Sequence, residues 1–278
     1  MWAALTLKLM SQHSPALSLS PKLEKFKTTP IVRQFLAPSA QEKQWLLDHA
    51  DLAPFPVGKL FVLENAYFRM GLPGTGPDMY LRDCLIQRLA KWEQDLGSQT
   101  QKGQTSFLVF DAFRTLECQM ALFDHFVKEI SARSPALSAD EVEIEAAKFV
   151  AHPKFRPNYS ALPHNTGAAI DVALGDCDNH EMWDFGTDFD DSTDLAATDF
   201  FERGHDPQFG ISPERWNLIR QNRRVLFHIM RESGFANYSR EWWHYNLGDS
   251  SWAMQVGADG PIFDSAEEIF NKKKKALK

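Results

Sequence analysis

Apolar residues recur along this chain with two periods, and each predicts its own kind of element. Between 81 and 96, Leu81, Cys84, Leu85, Leu89, Trp92 and Leu96 keep the three-and-four spacing of one helix face. The spacing returns at Leu116, Met120, Phe123, Val127 and Ile130. Ser39 with Glu42, and Ser138 with Glu141, have the serine-to-glutamate spacing of a capping box, which predicts helices over about 40–50 and 138–151. Ser212-Pro213 opens a long helix that runs through Met230 and stops at Gly234. Three shorter runs break the helical period and predict strands: SFLVF at 106–110, AAIDVAL at 168–174 and EWWHYNL at 241–247. Helices crowd the first half without regular strand–helix alternation, so the pattern predicts an α+β fold rather than a doubly wound sheet. No internal repeat is present.

The ends carry less pattern. Positions 11–30 are rich in Ser, Pro and Lys and predict an arm or loose lead-in, which makes residues 1–50 an N-terminal extension of unknown role. The opening apolar run is short, is broken by Lys8 and follows no basic segment, so it does not fit a secretory leader. The expected compartment is the cytoplasm, with the periplasm as the alternative. Residues 261–278 form a Lys-rich tail whose four consecutive lysines, Lys272 to Lys275, predict a solvated, frayed end.

Composition narrows the function classes. A length of 278 residues suits one large domain or two small ones, and 44% hydrophobic with 24% charged residues excludes a disordered or collagen-like chain. No apolar run approaches the length of a membrane span. Thirty basic against thirty-seven acidic residues give a formal charge of -7, which argues against general nucleic-acid binding. Cys84, Cys118 and Cys177 lie far apart with no CxxC pair, so a cysteine zinc ribbon is excluded. An odd count rules out a complete disulfide framework, although one bridge is open.

The candidate chemistry lies in three stretches: Asp111 to Arg114, Leu162 to Asp171, and Glu241 to Tyr245. His164, Asp171 and His244 offer two imidazoles and a carboxylate, a donor set that suits Zn²⁺ and leaves a fourth position for water. Gly167 between the first two lets the backbone turn closely around a small site. Asp171 interrupts an apolar strand, and a buried carboxylate needs a cation or donors. Glu241 precedes His244 by three positions, so on an ideal strand the two would face opposite ways. Both reach one metal only if a turn or bulge begins that strand. Glu241 would then stand beside the water as a general base. Arg114 is either a surface ion pair or a donor to an oxygen that gains charge in the transition state, where losing such a donor costs about 3 kcal/mol.

Twelve acidic residues between 171 and 206 face only Arg203. They read as a solvated acidic loop, or as a field that draws in an ammonium-bearing substrate. A calcium loop is a further option, but its D-x-[DN]-x-[DN]-G pattern is missing. Trp242 and Trp243 alternate faces, which predicts one in the core and one on the cleft wall.

At these residues the chain resembles the D-alanyl-D-alanine dipeptidases, zinc enzymes of the D,D-peptidase group that shares a fold with the Hedgehog signalling domain. His164, Gly167, Ala169 and Asp171 match the family's S-x-H-x-x-G-x-A-x-D pattern, and Glu241, Trp243 and His244 match its E-x-W-H. Asp111 and Arg114 match D-G-Y-R, and Phe185 to Asp190 resembles M-G-x-x-F-D. The likeness spans roughly residues 55–255. It implies a central antiparallel sheet flanked by helices, with residues 51–260 as the catalytic domain. It further implies one zinc on His164, Asp171 and His244, with Glu241 as general base, Arg114 stabilising the tetrahedral intermediate and Asp190 gripping the substrate's free ammonium. Thr115 stands where the family has proline. Leu162 stands where it has a serine close to the substrate.

The implied activity is hydrolysis of D-Ala-D-Ala, a small dipeptide, to two D-alanines. A D,D-carboxypeptidase or endopeptidase on cell-wall peptides would share the ligands without needing Asp190, and Leu162 also admits a different dipeptide. A non-enzymatic module with a structural metal would need neither Glu241 nor Arg114.

Overall fold

The computed structural model describes residues 19–97, 104–157 and 159–276. In chain order the elements are α1 (Pro21–Thr28), α2 (Ala40–Asp48), β1 (Leu52–Pro54), β2 (Phe61–Leu63), α3 (Ala66–Arg69), β3 (Tyr80–Arg82), α4 (Asp83–Ala90), α5 (Glu93–Gly97) and β4 (Thr105–Asp111). There follow α6 (Leu116–Arg133), α7 (Ala139–Ala146), β5 (Ala169–Asp176), α8 (Pro213–Glu232), β6 (Ala236–Asn237), β7 (His244–Asn246), α9 (Ser250–Val256) and α10 (Glu267–Ala276). The fold is α+β, as the pattern predicts.

The main sheet has the order β2-β4-β5-β7-β6. It is antiparallel except at one edge, where β2 runs parallel to β4. β1 and β3 form a separate antiparallel pair. β4 and β5 are buried along almost their whole length, so they read as continuous apolar runs rather than alternating ones. Helix α8 lies against β6 and α1. It starts where Ser212 Oγ accepts from Arg215 N with Pro213 at the first turn, and it buries Trp216, Ile219, Val225, Leu226, Ile229 and Met230. Helices α6 and α7 pack on each other through a second apolar cluster that includes Leu122, Phe123, Ile130 and Val142.

Four expectations are corrected. The lead-in is helical at Pro21–Thr28: Ser20 caps it, Pro21 starts it, and Leu23 and Phe26, three apart, bury against α8. Its end is tied by Arg224 Nη1 to Lys27 O at 3.1 Å and His228 Nε2 to Thr29 O at 3.0 Å. Positions 1–18, including the leader question, lie outside the described residues. The Lys-rich tail is mostly exposed, as expected, but helical over Glu267–Ala276 rather than frayed. Phe270 packs on Tyr80 and Phe113 with ring centroids 5.4 and 5.0 Å away, and Lys273 pairs with Asp51 at 2.7 Å. The stripe at 81–96 is buried as expected, but it spans β3, α4 and α5 rather than one helix. The strand read at 241–247 holds only from His244 to Asn246, because a turn occupies the residues before it. Among the described residues, no helix is long and apolar enough to cross a membrane.

Candidate active site

Strand register builds the site. Asp111 on β4 stands opposite Asp171 on β5, and Asp171 stands opposite His244 on β7. Three adjacent strands thus present one row of polar side chains, in a sheet whose other positions are mostly apolar. The ladder between β4 and β5 is irregular between Val109 and Asp111, and a bulge at that point re-aims a side chain. His164 joins the row from a single 3₁₀ turn, His164–Thr166, just before β5. Gly167 closes that turn at φ 66°, and a Cβ there would lie 2.5 Å from Leu52 Cδ2. Only glycine meets both demands. On the other side of the row, Glu241 N donates to Tyr238 O and His244 N to Glu241 O. That turn is the one the Glu241–His244 spacing requires, and it brings Glu241 Oε2 to 4.0 Å from His244 Nδ1.

His164, Asp171 and His244 are all buried, and one donor atom from each lies within 4.8 Å of the others. His244 Nδ1 is 2.8 Å from Asp171 Oδ1 and 3.2 Å from His164 Nε2, and His164 Nε2 is 3.3 Å from Asp171 Oδ2. His164 Nδ1 donates to Ala112 O at 2.8 Å, so in the neutral ring Nε2 turns a lone pair toward the other two. Asp111 Oδ2 lies 3.1 Å from the same Nδ1. Burial opposes charge on both residues, yet Asp171 and Asp111 prevail in raising the His164 pKa, and His164 and His244 prevail in holding Asp171 well below the ordinary carboxylate range. Both shifts have one cause, the attraction between carboxylate and imidazole where the donor atoms meet. A borderline divalent cation fits that donor set.

Arg114 is fixed from three sides. Its Nε and Nη2 donate to Asp111 Oδ2 at 2.9 and 2.5 Å, its Nη1 donates to Gln119 Oε1 at 3.0 Å, and its guanidinium lies 4.6 Å from the Tyr67 ring centroid. Its own N donates to His164 O, which ties it to the His164 turn. Of five guanidinium N–H groups these bonds use three, leaving one on each Nη for the pocket. The sequence left Arg114 as a surface pair or a site donor; it is buried and lines the pocket.

Asp190 lines the same pocket as Arg114, Glu241 and the triad. Its backbone sits at φ 61°, a conformation non-glycine residues seldom hold without support from their surroundings. Tyr67 Oη donates to its Oδ2 at 3.0 Å. Burial and the nearby Asp171 push its pKa up to about 7, against Arg114 and the Tyr67 hydrogen bond. Burial, then Asp171 and Asp190, push Glu241 well above the usual range. Asp190 rides on a loop held by the core: Phe185 stacks on Trp242 at 4.3 Å, and Phe189 on Phe110 at 4.6 Å. Buried Arg223 donates to the carbonyls of Phe185, Leu195 and Ala197 at 2.8, 2.7 and 2.6 Å. Trp242 faces the core and Trp243 lines the pocket, as their alternation predicts.

The acidic run is not one solvated loop. Asp184 takes Arg215 at 2.7 Å, Glu202 takes Arg224 at 2.6 Å, and Asp176 accepts from Asp178 N and Asn179 N within its own turn. Sequence reading missed Tyr67, Gln119 and Arg223, and gave Asp111 no task of its own. Tyr67 and Arg223 meet partners 123 and 26 to 38 positions away, which nothing local marks, whereas Gln119 stands only five positions from Arg114.

Residues 80–265 match the family model described as D-ala-D-ala dipeptidase. The chain belongs to that peptidase family. Membership makes it a metallopeptidase. It is 29% identical over 219 residues to a D-alanyl-D-alanine dipeptidase of Synechocystis sp., covering 76% of this chain and 87% of that protein. A namesake from Enterococcus faecium is 32% identical over 145 residues, 51% of this chain and 62% of that one. The Enterococcus faecalis protein of the same name is 39% identical over 90 residues, 32% and 39% of the two chains. A solved vancomycin-resistance D,D-pentapeptidase, VanY, aligns at 15% identity over 81% of this chain with a TM-score of 0.33, too low to inform the geometry.

Proposed function

We propose that this peptidase hydrolyses free D-Ala-D-Ala with zinc held by His164 Nε2, Asp171 and His244 Nδ1. The observation that carries the dipeptide reading is Asp190. It is a recessed carboxylate in a strained backbone conformation, it opens on the pocket, and Tyr67 Oη is its one side-chain hydrogen-bond partner among the described residues. A free α-ammonium supplies the cation such a group needs, and an N-acylated peptide does not.

Zinc at this site would supply Lewis acidity toward the scissile carbonyl and its attacking water. The chain's own residues do the rest. Glu241, whose proton affinity burial and the nearby Asp171 and Asp190 raise above that of an ordinary carboxylate, takes the water's proton and returns it to the leaving amine. The two free N–H groups of Arg114 meet the oxygen that becomes negative as the tetrahedral intermediate forms. Asp111 and Gln119 keep the guanidinium from turning, and Ala112 O keeps His164 in the ligating tautomer. Asp190 holds the ammonium, so the scissile bond lies one residue along.

The experiment is D-alanine release from D-Ala-D-Ala by purified protein, before chelation, after it, and after zinc is restored. Release that stops and returns supports the reading; no release from zinc-loaded protein ends it. N-acetylated D-Ala-D-Ala cleaved as fast as the free dipeptide would remove the role given to Asp190.

A further inference from the structure

Leu162 is buried, only 5% exposed, and does not line the pocket. The position from which the dipeptidases present a serine therefore offers no hydroxyl to a substrate. Another group must meet the end of the dipeptide that Asp190 does not hold.

The pocket wall formed by the segment after α7 contains one. Arg156 follows a short 3₁₀ turn, Pro153–Phe155, that is pinned on α6: the His152 ring lies 4.5 Å from that of Phe123, and Phe155 lies 6.3 Å from it. Arg156 lines the pocket with the metal triad, Glu241 and Asp190. Among the described residues its guanidinium forms no ion pair. Its one hydrogen bond, from Nη1 to the adjacent Phe155 O at 3.2 Å, leaves most of its donors free. Tyr159, also on the pocket wall, has its ring 5.9 Å from the same guanidinium. Lys148, the neighbouring cation, is already paired with Glu145 at 2.5 Å.

One pocket thus presents a carboxylate and a guanidinium, each without an ionic partner. A zwitterion complements that pair. We infer that Arg156 receives the C-terminal carboxylate of the free dipeptide, so that the site demands a charge at both ends of its substrate. The inference rests on the dipeptidase reading above and adds what that reading leaves open, the recognition of the carboxyl end in a chain whose serine position is leucine. Arg156 binds substrate at a distance from the reacting bond, so its loss falls on KM. A guanidinium donates to both carboxylate oxygens at once, and an uncharged amide terminus forfeits that geometry.

The test compares D-Ala-D-Ala with D-Ala-D-alaninamide on zinc-loaded wild type, Arg156→Gln and Arg156→Lys. Wild type should prefer the free acid by about tenfold or more in kcat/KM, the scale of one charge-assisted hydrogen-bonded pair. Arg156→Gln should raise KM for the acid by a similar factor, leave kcat within about threefold, and abolish the acid-over-amide preference. Arg156→Lys should recover part of that preference. Zinc content and melting temperature should stay at wild-type values in both variants, because Arg156 is partly exposed on a loop anchored by its neighbours. An Arg156→Gln enzyme with wild-type KM and undiminished preference for the acid overturns this inference and leaves the dipeptidase reading standing. Wild-type enzyme that releases D-alanine from neither substrate overturns both.

Discussion

At the His164–Asp171–His244 end of the cleft, backbone pairing sets the geometry; at the Asp190 end, side chains do. Asp111, Asp171 and His244 face one another because three strands are in register, and the hydrogen bonds that keep that register are spread along the ladder. Asp190 is placed by Tyr67, by two aromatic stacks and by one arginine that holds three loop carbonyls. The first device is distributed and tolerates the loss of any single neighbour. The second concentrates its hold in a few residues. A metal centre needs donor atoms placed to a few tenths of an ångström, which a paired sheet supplies. On the reading proposed above, Asp190 as substrate anchor needs only charge and approximate reach, so a loop suffices.

The largest effect that would test this contrast is at Glu241. Glu241→Gln should keep the fold and the zinc, because Glu241 is not a ligand in this reading, yet lower kcat by about 10³-fold. Metal analysis beside single-turnover rates would check it, and zinc loss in the variant would blur the division between ligand and base.

A smaller effect, on stability, is expected from Arg223→Met. It leaves the carbonyls of Phe185, Leu195 and Ala197 without their donor in a buried place. The expected destabilisation is about 3 kcal/mol, or about 8 °C in Tm for a chain of this size. KM for the dipeptide should rise with it as the Asp190 loop loosens, while zinc affinity holds. Equal losses at both ends would mean that the ends are not separately built.

The smallest expected effect has the opposite sign. Asp190 has its pKa pushed up to about 7 from an ordinary 3.8. Below pH 4 both folded and unfolded states carry the proton, and burial of the group costs nothing in charge. Between about 4 and 7 the unfolded chain ionises first, so stability falls as pH rises, and above 7 the penalty is complete. Unscreened, a difference of that size is worth about 4 kcal/mol; water reaching the carboxyl from the pocket reduces it to about 2 kcal/mol. Asp190→Asn in chelated protein should therefore melt higher than wild type at pH 8 and equally at pH 4, while zinc-loaded variant enzyme loses its preference for a free amine. A variant that gains nothing at pH 8 would place Asp190 in open solvent.

Much of this was readable in the chain itself, for identifiable reasons. Capping boxes at Ser39 and Ser138 and the serine–proline start of α8 act over three or four residues, so these helices start where predicted, although α7 stops at Ala146 rather than near 151, because a capping box fixes only where a helix begins. Donor chemistry is likewise a property of residue type: two histidines and an aspartate suggest a borderline metal wherever they meet, and Glu241 three positions before His244 demands the turn that is there. What the chain could not display was which distant residues would meet. Leu23 and Phe26 looked like part of a loose arm because α8, which buries them, begins some 190 positions later. The acidic run looked unopposed because Arg215 and Arg224 approach from another element. Tyr67 carries no local mark of a site residue, and its part appears only where the chain returns 123 positions later to set Asp190 beside it. Local hydrogen bonding and periodicity are written in adjacent residues, so the sequence determined the capped helix starts, the apolar strands and the donor types at the site. Pairing across the sheet and burial against remote helices depend on the whole chain closing at once, so tertiary structure alone decided which charges find partners and which remain for the substrate.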